Sequence, residues 1–172
     1  MLTLVSQTRK AMQSELYYVA LMSALSIPDI AGALGADDGT ANRERYIKWY
    51  EKWVRPRLKE NRDRDNSFSG EDCYYFRCSM VHQGSSQHGK STYKKIIFIE
   101  PGHPNYNIHY CVIGGEALLI QIDQFVEEAL QGCELWLKDV QDTEPFKANY
   151  ARFARRHPQG IDPYVLGVPV VG

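Results

Sequence analysis

The segment RCSMVH, residues 77–82, sets an arginine and a histidine five positions apart. Arginine stays charged at any working pH and offers a planar fork of donors that matches a phosphate, while histidine exchanges a proton near neutrality. Cleavage of an RNA phosphodiester uses both properties. The neighbouring 2′-hydroxyl is a built-in nucleophile, so a site must take its proton, stabilise the charge that develops on phosphorus and assist the departing 5′-oxygen. That route needs no metal and no cofactor. The same side chains also have ordinary structural uses, Arg77 as an ion-pair partner of Asp72 or Glu71 and His82 as a helix C-terminal residue favoured by the dipole.

The elements around this segment decide what it can do. Ser69 followed by Asp72 fits a capping box, which starts a helix through EDCYYFRCSMVH that Gly84 ends. On an ideal helix a five-residue separation turns the second side chain by about 140°, so Arg77 and His82 do not share a stripe. Two chains meeting across a symmetric groove would bring two arginines and two histidines together, and a homodimer is expected on that ground. Ser79 has no partner in the sequence that would mark it as a nucleophile.

Three further long helices are predicted. Met12, Leu16, Val19 or Ala20, and Ala24 recur at helical spacing over residues 6–26; the chain then changes direction at Ser26, and Pro28 opens a short helix that Gly35 closes. Asn42 caps RERYIKWYEKWVRPRL, with Tyr46, Trp49, Tyr50 and Trp53 on one face and Pro56 at its end. After Gly114 and Gly115, the run from Leu118 to Cys133 follows the helical period. Between these lie RPRLKENRDRDNS, read as an exposed loop, and GSSQHGKS at 84–91, read as a flexible connector and not as a Walker-type phosphate loop. The runs YKKIIFIE and YNIHYCVI flank the turn-rich PGHPN and predict a β-hairpin. The expected fold is mainly α: one up-and-down four-helix-bundle-like domain over residues 1–172, with an inserted β-hairpin at about 93–113 and an irregular apolar tail.

Arg77-x4-His82 on such a helix resembles the R-x4-6-H signature of HEPN domains. The resemblance implies a compact four-helix bundle, often dimeric, and a metal-independent endoribonuclease of the kind found in toxin and phage-defence systems. It makes Arg77 and His82 the catalytic pair, RNA the substrate, and a cognate antitoxin or defence protein an expected partner. Cys78 departs from the pattern, because active members frequently carry Asn, Asp or His after the arginine. The segments ALMSALSIPDIAGALG, RYIKWYEKWV and SGEDCYYFRCSMVHQGS together also resemble a set of bacterial proteins with no assigned activity, over roughly the first half of the chain.

Twenty basic against 21 acidic residues give a formal charge of -1, so no global field draws the chain toward nucleic acid or an anionic membrane. Any RNA contact must be local, and Arg152, Arg155 and Arg156 in ARFARRH are the candidates for it. The first residues lack the pattern of an export signal, no apolar run approaches membrane-spanning length, and a cytoplasmic location with no membrane partner is expected. Cys73, Cys78, Cys111 and Cys133 then read as reduced thiols. Two other readings stay open. One is a non-catalytic dimerisation or protein-interaction module that uses Trp49, Trp53 and the tail VLGVPVV. The other is a small zinc protein built on Cys78 and His82, one turn apart, with Cys73, His109 and Cys111; the close cysteine pairs of structural zinc sites are missing, and no metal is assigned. No dinucleotide fingerprint and no nucleophile elbow is present.

Overall fold

In the computed structural model, which describes residues 1–58, 68–102 and 108–172, six α-helices and three small sheets make up the described chain, which is mainly α. The helices are α1 (Leu2–Gln13), α2 (Tyr17–Leu34), α3 (Arg43–Trp53), α4 (Gly70–Gln83), α5 (Ile122–Val140) and α6 (Glu144–Tyr150). The exposed loop expected over RPRLKENRDRDNS falls mostly at 59–67, outside the described residues, and so does most of the expected turn, at 103–107.

Helix α2 organises the rest. It touches α1, α3, α4, α5 and α6, and it buries Ala20, Leu21, Ala24, Leu25, Ile27, Pro28, Ala31 and Leu34. At 18 residues it is long and apolar enough by composition to cross a membrane, which overturns the expectation that no run approaches that length. Its apolar surface is instead matched by helices of the same chain. The predicted break at Ser26 is also corrected. The chain turns at Ser14–Leu16, where Glu15 takes a φ of 59°, and α2 then runs unbroken through Pro28 to Gly35. Proline removes one helical hydrogen bond, a loss of about 3 kcal/mol or more in an exposed helix. Here Ile27 and Pro28 are both buried against neighbouring helices, so packing opposes that loss.

The expected hairpin does not form. Strand β1 (Lys95–Ile99) pairs in parallel with β3 (Ala117–Gln121), and β2 (Cys111–Ile113) pairs with the other edge of β3, giving the order β1-β3-β2. Residues 117–121, predicted as the start of the fourth helix, are therefore the central strand. Leu118, Leu119 and Ile120 are all buried, because both faces of a central strand are covered, and such a short apolar run carries no period that separates strand from helix. The true hairpin is β2–β3, turned by Gly114 and Gly115 at φ of 61° and 68°, the pair of positive values that a tight primed turn requires. Helix α5 starts only at Ile122.

One continuous hydrophobic cluster draws on every helix and on the three-stranded sheet. At its centre the rings of Phe68, Phe98 and Phe125 meet edge to face with centroids 5.2 to 6.5 Å apart, a geometry that adds to simple burial. The C-terminal tail forms two small antiparallel ribbons, β4 (Arg156–His157) with β7 (Val170–Val171) and β5 (Gly160–Ile161) with β6 (Val165–Leu166). Their apolar side chains face solvent, Tyr164 being 84% and Val171 76% exposed.

Gly132 lets α5 approach the end of α3, since a Cβ at that position would stand 2.6 Å from the Trp53 carbonyl oxygen. Helix propensity alone favours alanine over glycine by about 1 kcal/mol, so the sign of the effect separates the two forces. Gly132→Ala is expected to lower stability by roughly 1–3 kcal/mol, the cost of overpacking, read from urea unfolding midpoints. A variant at least as stable as wild type would contradict this packing.

Candidate functional site

Helix α4 is held at both ends. At its start the Ser69 hydroxyl accepts from the Asp72 N–H at 3.1 Å and donates to the Asp72 carboxylate at 2.6 Å. The buried Asp72 carboxylate also accepts from the Ser91 hydroxyl and the Thr92 N–H, which ties the returning chain back to the beginning of the helix. At its end Gly84 takes the left-handed conformation at φ 63°, and the N–H groups of Gly84 and Ser85 close on the carbonyls of Met80 and Ser79. The cap and the terminator predicted from the sequence are both in place.

Between those ends Arg77 and His82 meet within one chain. Arg77 Nη1 donates to His82 Nε2 at 3.0 Å, although the two Cα positions lie on different faces of the helix. The length of the arginine spans the angular offset between the two positions, so pairing them does not require a second chain. Because Nε2 accepts this bond, the imidazole in this contact is neutral, with its proton on Nδ1. Nη1 also reaches the Cys78 sulfur at 3.7 Å. His82 is exposed and Arg77 half-buried.

The acid beside Arg77 is neither Asp72 nor Glu71. Glu71 pairs with Arg43, whereas Arg77 Nη2 lies 2.6 Å from Asp29 on α2. The Asp29 and Arg77 side chains are 16% and 19% exposed, so this ion pair is largely withdrawn from water. Burial pushes the Asp29 carboxyl above the usual carboxylate range against the pull of Arg77. For Arg77, burial acts to lower the pKa, but Asp29 and Cys78 more than offset it and leave the guanidinium above its ordinary value. Asp29 is the site residue that sequence reasoning missed. The available signal was its being the only charged residue in an otherwise apolar α2.

The remaining candidates lie elsewhere. Arg152 donates to Asn149 and Arg155 sits over the Tyr150 ring, both within the C-terminal part of the chain, while Arg156 stands on the β4 ribbon. Cys73 is buried and within 3.2 Å of the Tyr46 hydroxyl, and burial raises its thiol well above the ordinary range. His109 is fully buried: its Nδ1 accepts from the Gln121 N–H at 3.0 Å, which places a proton on Nε2, 3.4 Å from the Glu128 carboxylate that Tyr110 also contacts. Cys73 and His109 thus have other partners, and among the described residues no three His, Cys, Asp or Glu side chains converge to hold a metal. All four cysteines are free thiols. Trp49, offered as a docking surface, is a core residue packed edge to face on Trp136. Ser79 is fully buried with its hydroxyl unpartnered, which keeps it out of reach of substrate.

Residues 84–91 do spell G-x-x-x-x-G-K-S, contrary to their reading as a mere connector. A phosphate loop of that spacing joins a strand to a helix N-terminus, whereas this one leaves α4 and leads to β1. Ser91 is held by Asp72, and the Lys90 N–H is turned onto His88 Nδ1. The motif is present without the backbone cradle that gives it meaning. Comparison with family models, with curated proteins and with solved structures finds no match.

Asp29 binds its proton more readily in the folded chain than in the unfolded one, so its ionised form weakens the fold and that weakening is lifted as pH falls. The stability of wild type relative to Asp29→Asn is therefore expected to rise from neutral pH down toward the ordinary carboxylate value of about 3.9. Urea unfolding of both proteins at neutral and mildly acidic pH measures the difference. A gap that moves the other way on acidification would mean that Arg77 outweighs burial.

Proposed function

We propose that this chain is a metal-independent, HEPN-like endoribonuclease that acts in the cytoplasm, with Arg77 and His82 as its catalytic pair. The observation that supports the reading is the 3.0 Å contact between guanidinium and imidazole at the exposed end of a helix fixed at both ends. Arg77 Nη2 is engaged with Asp29, which leaves the Nη1 edge for a scissile phosphate. A phosphate bound there replaces the contact to His82 and frees its Nε2 lone pair. Nε2 then takes the 2′-hydroxyl proton, the 2′-oxygen bonds to phosphorus, and the bond to the 5′-oxygen breaks, leaving a 2′,3′-cyclic phosphate and a 5′-hydroxyl end. The departing oxygen needs a proton from the opposite side. A second copy across a two-fold groove would present its own His82 for that step, in the protonated imidazolium form that can give up a proton, which is the role of the homodimer in this reading. The cluster at Arg152, Arg155 and Arg156 would contribute only weak contacts to the RNA backbone. In a toxin or defence setting a cognate antitoxin or defence partner would cover the site.

A second reading, a non-catalytic dimerisation or interaction module, draws its support from the same ion pair and from the tail. Arg77 bound to Asp29 in a largely desolvated pair pins α4 to α2 without any catalysis. The exposed Val165, Leu166, Val168 and Val171 offer an apolar contact surface.

Purified protein incubated with structured and unstructured RNA in EDTA is expected to cut it to products with 2′,3′-cyclic phosphate ends. His82→Ala should slow cleavage by about 10²–10⁴-fold, and because His82 is exposed the variant should fold. Arg77→Lys keeps a charge for Asp29 but loses the fork, and should slow it by roughly 10²-fold or more. Wild-type activity no greater than that of His82→Ala would remove the nuclease reading, and a dimer without activity would favour the module.

A further inference from the structure

Away from Arg77 and His82, the chain that returns along α4 and the first residues of β1 and β3 line an open cavity of about 600 Å³. Its lining is rich in donors: Gln87, His88, Lys94 and Lys95, with Glu116 as the one carboxylate among the lining residues. That carboxylate is already paired with Lys94, so among the described residues the charge of Lys95 is left over. His88 is held in place. Its ring stacks on Tyr75 at 4.6 Å and 10°, and its Nδ1 accepts from the Lys90 N–H at 3.2 Å, which leaves Nε2 to carry the proton and donate. At Gly89 no atom lies within 4 Å of where a Cβ would stand, so the wall there is bare backbone open to an approaching ligand. Ser91 and Tyr93 complete the wall, anchored through Asp72 and by burial, so the site has a rigid floor.

We propose that this cavity binds the phosphate group of a nucleotide, with Lys95 as its counter-charge and His88 and Gln87 as hydrogen-bond donors. A cavity of this volume admits a whole nucleotide, whereas an apolar ligand would offer nothing to Lys95, Gln87 or the His88 N–H. The ammonium of Lys95 and the imidazole N–H offer the charge-assisted and neutral bonds that a phosphate oxygen accepts. A free nucleotide and one unit of a nucleic-acid chain present the same phosphate chemistry. The site is separate from Arg77 and His82 and holds whether or not that pair cleaves RNA.

Isothermal titration of the intact chain tests it with two probes, 5′-AMP and a four-residue deoxyoligonucleotide, which lacks the 2′-hydroxyl and so survives any cleavage of the kind described above. Saturable binding of either probe is expected, weakened about tenfold by Lys95→Gln and less by Arg77→Lys. Tighter binding of 5′-AMP identifies a free nucleotide as the ligand, and tighter binding of the oligonucleotide identifies a nucleic-acid chain. Lys95 is exposed and its replacement should not disturb folding, which thermal unfolding of the variant confirms. No saturable binding of either probe at millimolar concentration, or binding that Arg77→Lys weakens while Lys95→Gln does not, overturns the proposal.

Discussion

Helix α2 is surrounded by five other helices, and the consequence falls on Asp29, the only charge it carries. A carboxylate withdrawn from water costs several kcal/mol unless a cation and further hydrogen bonds meet it, so the packing of α2 creates a demand that another element must satisfy. Arg77 meets it from α4 only in part: its Nη2 stands 2.6 Å from Asp29 Oδ2, yet that oxygen accepts no well-formed hydrogen bond and burial still raises the carboxyl. The position of the guanidinium is thereby set by the core and not by the surface on which it finally appears. From that fixed point Nη1 reaches His82, which is why two side chains on different faces of α4 come into contact.

The same logic recurs deeper in the molecule. Glu128 is 1% exposed, and Tyr110 and His109 converge on it from the segment that enters β2. His109 can face Glu128 with a proton only because the Gln121 N–H occupies its other nitrogen, and Gln121 closes the central strand. Buried acids thus bind α2 to α4 and α5 to the sheet. Arg9 does related work at the surface, bridging Glu127 and Glu134 to hold α1 on α5. Removing one member of a buried pair leaves the other uncompensated, a cost larger than the net stability the intact pair supplies.

Features governed by local chemistry were legible in the sequence, and those governed by pairing at a distance were not. Asn42, Ser69 and Gly84 end their helices as their residue types require, through bonds that span three to six positions. The turn before α2 was misplaced because Leu16 fits the helical period of its neighbours, yet it is 54% exposed and belongs to neither helix. Residues 117–121 continue the apolar period of α5 and were read with it; only the presence of β1 and β2 on either side makes them a strand. The candidate site divides in the same way. Arg77 and His82 announced themselves by type and spacing, whereas Asp29, 48 positions before Arg77, is joined to it only by the packing of α2 on α4.

The charge within Asp29, Arg77 and His82 bears on what such a cluster can do. With the imidazole neutral the three side chains sum to no net charge, so they hold a phosphate only moderately in the ground state. On the nuclease reading, His82 becomes cationic as it takes the 2′-hydroxyl proton, and the cluster turns net positive just as negative charge accumulates on the phosphorus oxygens. An interaction that strengthens on the way to the transition state raises the rate, whereas one already present in the bound substrate does not. An arginine free of Asp29 would bind the phosphate more tightly at the outset and gain less from the proton transfer. On the same nuclease reading, the carboxylate that the burial of α2 imposes on Arg77 would keep the guanidinium from holding the phosphate too tightly before the proton moves.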